Sequence, residues 1–173
     1  MKPTRRPRRQ AGGAPGARFH GAPAGHEAVP QPDETDWKII AILRTGAVPN
    51  NTIARRLGIS EGTVRARLRR LKEAGIVQIR ALINPDVLSN KQLVLVAVRV
   101  AESKLLERKA EELARLENVQ SVSIASGRYD LIAEVLLDSN RGLGRFLTEE
   151  LSSIEGILAS ESFIMLRNYN KYV

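Results

Sequence analysis

The sequence predicts an α+β protein: an N-terminal helix-turn-helix (winged-helix-like) domain followed by a C-terminal ferredoxin-like βαββαβ domain. Three observations predict it. Apolar residues recur at helical spacing between Asp33 and Gly75, strand and helix patterns alternate in a βαββαβ order after Leu93, and the charge changes between the two parts. Residues 1–32 and 33–80 each carry a net charge of +5, whereas 81–173 carry −2, within the overall +8. A basic front half and a slightly acidic back half point to a polyanion partner at one end only.

Residues 1–32 are rich in Pro and Gly, poor in bulky apolar groups, and contain Arg5-Arg6-Pro7-Arg8-Arg9. Such a segment buries too little apolar surface to offset its ordering entropy, so it is expected to be disordered. It reads either as an arm that grips phosphates without sequence preference or as a solvated tail with no essential role.

Residues 33–80 form the expected helix-turn-helix domain. Ile39, Ile40, Ile42 and Leu43 outline a first helix, with Asp33 or Thr35 as its N-cap and Gly46 near its end. Pro49-Asn50-Asn51 offers a turn and a cap before a short second helix that faces inward through Ile53, Ala54 and Leu57. Gly58 stops it. Ser60 caps a third helix, in which Val64, Leu68 and Leu71 share one face, and Gly75-Ile76 reads as a Schellman ending.

A strand-like link from Ile76 to Ile83 and an Asn84-Pro85 turn lead through a linker at 81–90 into the second domain, residues 91–173. Its expected elements are a strand from Leu93 to Val100, a helix from Ser103 to Leu116, strands from Val119 to Ala125 and Leu131 to Leu137, a helix from Ser139 to Ile154, and a strand from Ile157 to Leu166. Leu106, Ala110 and Leu113 should face inward from the first of these helices, and Leu143, Leu147, Leu151 and Ile154 from the second. In the first strand Val94, Val96, Val98 and Val100 lie on one face and Leu93, Leu95 and Ala97 on the other. Two helices cover only one face of a four-stranded sheet. The second apolar face is expected to be covered by another copy, making a homodimer, or by the chain's own N-terminal module.

Composition narrows the chemistry. Cysteine is absent and both histidines, His20 and His26, precede the first predicted helix. Zinc sites, thiol chemistry and Ser–His or Cys–His pairs are therefore excluded from the folded domains. No catalytic residue, metal or cofactor is expected. No run approaches the roughly 18 apolar residues of a membrane span, and the basic start leads into no apolar signal segment. A cytoplasmic, nucleoid-associated protein with no membrane partner is the resulting expectation.

The outward side of the third helix carries Glu61, Thr63, Arg65, Arg67, Arg69, Arg70 and Lys72. A helix of this kind enters the major groove of double-stranded DNA with its first turns on base edges. Ser60 lies at its start; Glu61, Gly62, Thr63 and Arg67 are expected near bases. Arg65, Arg69 and Arg70 are expected mainly on phosphates, with Arg55 and Arg56 of the second helix near the backbone.

These segments together resemble the leucine-responsive regulatory protein/AsnC family of transcriptional regulators. The resemblance is carried by Asp36-Trp37-Lys38-Ile39-Ile40, Ile53-Ala54-Arg55-Arg56-Leu57-Gly58-Ile59-Ser60, Val64-Arg65-Ala66-Arg67-Leu68-Arg69-Arg70-Leu71 and Ala74-Gly75-Ile76-Val77. In the second domain Ser126-Gly127-Arg128-Tyr129-Asp130 resembles the family's Gly-x-Tyr-Asp loop, and Glu155-Gly156-Ile157 its pre-strand turn. The resemblance implies a sequence-specific DNA-binding regulator that pairs through its sheet into dimers, with dimers often assembling into octamers. It also implies a small-molecule effector, usually an amino acid, held beside Ser126, Gly127, Tyr129 and Asp130. Asp130 could accept from an α-ammonium or bond local backbone in a tight turn. Glu161, a carboxylate in the last strand, could select a cationic ligand or face solvent.

Two other readings remain. A nucleoid-type architectural protein would compact DNA with little sequence preference and no effector. A siroheme-decarboxylase-like enzyme would use the same scaffold, but that group relies on histidine in its second domain, where this chain has none.

Overall fold

The computed structural model describes residues 31–173, so the expectation placed on the basic tail lies, through residue 30, outside the described residues. The first helix begins at Asp33 because its side chain satisfies a donor that no helical carbonyl reaches. Asp33 Oδ1 accepts from the Asp36 N–H at 2.9 Å, and Asp36 Oδ2 accepts from the Asp33 N–H at 3.0 Å. This reciprocal capping box opens α1, Glu34–Leu43. Next comes α2, Asn50–Leu57, which starts at Pro49 without any side-chain cap; the Pro49 carbonyl accepts from Thr52 and Ile53 instead. The cap expected from the asparagines is not made, since both lie inside the helix.

Gly58 ends α2 at a φ of +67°, a conformation that would strain most residues and that turns the chain sharply toward Ser60. Ser60 Oγ then accepts from the Thr63 N–H at 3.0 Å and opens α3, Glu61–Glu73. The expected Schellman ending is present. The Gly75 N–H donates to the Lys72 carbonyl at 3.0 Å and the Ile76 N–H to that of Leu71 at 2.9 Å. Ile39, Ile53, Ala54, Val64 and Leu68 form one buried cluster, ringed by Ile42, Leu43, Val48, Leu57 and Ile59. Leu71 is buried as well.

The link from Ile76 to Ile83 does not form a strand. A strand needs a neighbour along its length; at the end of the link Ile83 exchanges both backbone hydrogen bonds with Val173 at 2.9 and 3.0 Å. A 3-10 turn at Pro85–Val87 follows, capped by Asn84. Asp86 accepts from the Asn168 side chain at 2.6 Å and from its backbone N–H at 3.1 Å. These donors hold the Asp86 carboxyl below its ordinary value. Residues 165–173, assigned by the sequence to the second domain, thus group with residues 31–91, while Gln92–Ile164 form a separate compact unit.

That second unit holds β1 (Lys91–Val100), α4 (Leu106–Ala114), β2 (Val119–Ile124), β3 (Leu131–Asp138), α5 (Ser139–Arg145) and β4 (Ile157–Ile164). The sheet order is β2-β3-β1-β4, with β1 antiparallel to β4 and β2 to β3, as a ferredoxin-like βαββαβ chain requires. Val94, Val96, Val98 and Val100 are buried with Leu131, Ala133, Val135 and Leu137 beneath Leu113, Phe146, Leu151 and Ile154.

The helix expected over Ser139–Ile154 is not uniform. After Arg145 it widens into a π-helical turn at Phe146–Glu150 and tightens into a 3-10 turn at Leu151–Ser153. Thr148 Oγ1 donates to the Gly144 carbonyl and Ser152 Oγ to that of Thr148, side-chain bonds that compete with the helical ladder. The altered pitch turns Phe146 fully inward, whereas Leu143 and Leu147 are only half-buried.

Candidate nucleic-acid interface and effector loop

The buried stripe of α3 leaves its opposite side in solvent. Ser60, Glu61, Gly62, Thr63, Arg65, Arg69 and Lys72 are exposed there, as are Arg55 and Arg56 on α2. Arg65 donates to Glu61 at 2.8 Å and Arg69 lies 4.0 Å from Glu73; all four side chains are at the surface. Ion pairs so hydrated contribute little and exchange readily. The Thr63 hydroxyl, 2.8 Å from Ser60 Oγ, is part of the cap.

Arg67 does not join this open side. Its Nη1 donates to Asp33 Oδ2 at 2.6 Å and to Asp36 Oδ1 at 3.0 Å, and its side chain is 27% exposed against 71% for Arg65. The guanidinium expected near bases instead reaches back, in the structure without DNA, to the start of α1. Arg70 Nη2 also donates to Asp36 Oδ2, while the rest of its side chain stays exposed with the open side of α3. Asp36 is fully buried. The Asp33 carboxyl is held below its ordinary value, chiefly by the Arg67 hydrogen bond, and Arg67 is held above its own by the two carboxylates. The sequence marks Asp33 as a cap but marks neither aspartate as a partner of α3, because nothing local signals a pairing across 31 to 34 residues.

In the second unit the loop between β2 and β3 carries Ser126, Gly127, Arg128, Tyr129 and Asp130. The Ala125 N–H donates to the Asp130 carbonyl at 2.9 Å and closes the loop, and Gly127 at its exposed tip adopts a φ of +149°, open to glycine and strained for other residues. Asp130 is tied to β1 twice. Its N–H donates to the Val98 carbonyl at 2.9 Å, and its Oδ2 accepts from the Val100 N–H at 2.8 Å. Val98 and Val100 present these groups on the edge of β1 away from β4, whose own edge is met by the Ala101 N–H donating to the Gly156 carbonyl at 2.8 Å. The backbone bond that Asp130 makes reaches across to β1 and is not local to its own turn.

Tyr129 donates its hydroxyl to Glu161 of β4, and the Arg128 guanidinium lies 5.5 Å from its ring centroid. The carboxylate beside it, together with desolvation, raises the Tyr129 pKa above its ordinary value. Glu161 shares its sheet face with Phe163, paired across to Ala97 and Leu95. Ser126 and Gly127 are exposed; Tyr129 and Asp130 are half-buried.

A capped helix-turn-helix with an open basic side, joined to a ferredoxin-like domain with a looped sheet edge, defines the class: a DNA-binding module attached to a ligand-binding module. Residues 32–78 match the model of the winged helix-turn-helix DNA-binding family, and residues 93–172 that of the Lrp/AsnC ligand binding domain. The chain belongs to the Lrp/AsnC family of HTH-type transcriptional regulators. It is 38% identical over 135 residues to an uncharacterised HTH-type transcriptional regulator of Pyrococcus furiosus, covering 77% of this chain and 90% of that one. It is 32% identical over 127 residues to the HTH-type transcriptional regulator LrpA of Pyrococcus horikoshii, covering 72% and 89%.

Among solved structures it resembles the leucine response regulatory protein of Mycobacterium tuberculosis, with a TM-score of 0.69 and 26% identity over 80% of this chain and 95% of that one. It shares its fold with a transcriptional regulator from Neisseria meningitidis solved as an L-Met complex, with a TM-score of 0.62 and 24% identity over 81% and 93%. These relatives bear the names of transcriptional regulators. Among the described residues no helix is long and apolar enough to cross a membrane.

Proposed function

We propose that this protein binds a specific operator in double-stranded DNA through α3 and that an amino acid held at its second unit tunes that binding. The observation that carries the first half is the division of α3: Val64, Leu68 and Leu71 are buried, while Arg65, Arg69 and Lys72 stand in solvent beside Arg55 and Arg56 of α2. In this reading Ser60, Glu61, Gly62 and Thr63 approach base edges, Arg65, Arg69 and Arg70 with the α2 arginines approach phosphates, and Arg67 holds α3 to α1. The L-Met complex of the Neisseria regulator and the ligand-binding family model support the second half, with Ser126, Gly127 and Tyr129 as ligand contacts and Asp130 holding their loop to β1.

The working unit in this proposal is a homodimer paired through the open sheet face, capable of further assembly to an octamer. The exposed Ile132 and Phe163 on that face support it, although Leu93 and Ala97 of the same face are already buried within the single chain. Operator selection from random duplexes, followed by affinity measurement at matched salt, tests the DNA reading: a specific regulator prefers its site by at least about a thousandfold. Equal affinity for all sequences would give the architectural reading. A thermal-shift screen of the amino acids tests the effector, since a ligand of the native state raises its melting temperature.

A further inference from the structure

Five basic side chains lie on α3 between Arg65 and Lys72, and the structure treats them unequally. We propose that Asp33 and Asp36 form an acidic clasp that withholds Arg67 and Arg70 from DNA, leaving Arg65, Arg69 and Lys72 as the phosphate-facing cations of α3. The proposal rests on the DNA-binding reading above and revises the place given there to Arg70.

The argument is one of occupancy. Each oxygen of the two carboxylates has a donor: Asp33 Oδ1 takes the Asp36 N–H, Asp33 Oδ2 and Asp36 Oδ1 take Arg67, and Asp36 Oδ2 takes the Asp33 N–H and Arg70. The capping box fixes both carboxylates at the first turn of α1, so they cannot follow the arginines if these swing toward a duplex. Asp36 is fully buried, and departure of its arginines would leave a carboxylate out of water and uncompensated. A phosphate can therefore draw either guanidinium away from α1 only by breaking charge-assisted bonds held in a fixed geometry. The Arg65–Glu61 pair differs in kind. It is exposed on both sides, spans one helical turn, and costs little to open. The clasp thereby sets the charge footprint of the recognition helix and joins the start of α1 to the middle of α3. Arg67 acts as a positioning residue, not as a reader of sequence.

Counterion release gives the test, because the slope of log Kobs against log salt becomes shallower by about 0.9 for each phosphate that the protein no longer neutralises. Two variants that keep net charge unchanged are compared in the full chain, Asp33→Asn/Arg67→Gln and Glu61→Gln/Arg65→Gln, each titrated against a random-sequence duplex across a salt series. The clasp requires an unchanged slope for the first and a slope shallower by about 0.9 for the second. A matching loss of slope in the first variant overturns the clasp and leaves the DNA reading standing. An unchanged slope in the second overturns the phosphate role of this side of α3, and the clasp with it. Should the first variant fail to fold by circular dichroism, Arg70→Gln serves instead, because Asp36 keeps Arg67; its slope must also stay unchanged, and a loss of about 0.9 overturns the proposal.

Discussion

Asp130 offers the sharpest contrast between a structural and a ligand-contacting role. Asp130→Ala removes the acceptor of the Val100 N–H, a bond of 2.8 Å to a residue only 8% exposed. That donor shares one edge of β1 with the Val98 carbonyl that Asp130 also engages, whereas Ala101 on the other edge bonds Gly156, so no carbonyl of β4 can replace the carboxylate. Loss of a hydrogen bond to a charged acceptor, with its donor left buried, costs about 1.5–3 kcal/mol. With a urea dependence of about 1–3 kcal/mol per molar, the unfolding midpoint should fall by roughly 1 M. Asp130→Asn keeps an amide oxygen in the same place and should lose about half as much, since neutral acceptors bond about half as strongly. Urea titrations of the three proteins without ligand, followed by far-ultraviolet circular dichroism, measure both differences. An Asp130→Ala protein that unfolds at the native midpoint, yet no longer shifts with any amino acid, would refute this account and return the carboxylate to the ligand.

Leu68→Ala, in the buried stripe of α3, should destabilise the DNA-binding unit by about 2–5 kcal/mol, read from chemical unfolding monitored by the fluorescence of Trp37 on α1. Acid should weaken the contact between α1 and α3. The Asp33 carboxyl is depressed by Arg67, so its contribution is present above the unfolded aspartate value of about 3.9 and fades as pH falls through its lower folded value. Asp33→Asn should flatten that acid limb, and an unaltered limb would contradict it. The Tyr129 hydroxyl should ionise late in an alkaline absorbance titration because Glu161 disfavours the phenolate; its stabilising effect holds below about pH 10 and is lost above it. Tyr129→Phe should remove the late component. Phe163→Asp, placing a charge on the open sheet face, should shift the sedimenting species to a lower mass, whereas no change would remove that face from the proposed dimer.

Much of the fold was legible in residues close together along the chain. The Asp33 and Ser60 caps, the stop at Gly58, the Schellman ending at Gly75-Ile76 and the buried stripe of Val64, Leu68 and Leu71 are each decided within a few residues. Helical and strand periodicities exposed the βαββαβ order for the same reason: backbone geometry fixes which neighbours share a face. Two local expectations failed where another bond competed. Side-chain hydroxyls of Thr148 and Ser152 bond into the second long helix where it changes pitch, and the Ile76–Ile83 link forms no strand though Ile83 bonds Val173.

Tertiary structure alone decided where the charged groups point. Arg65 and Arg67 sit two residues apart on one helix and look alike in sequence, yet one ends in solvent and the other on two aspartates more than thirty positions away. Asp130 holds the Val100 N–H through a contact of the same range, and Asp86 and Ile83 bond Asn168 and Val173 over still longer ones. Such pairings leave no period in the chain, because a side chain's partner depends on what folding brings opposite it and not on its own type or spacing.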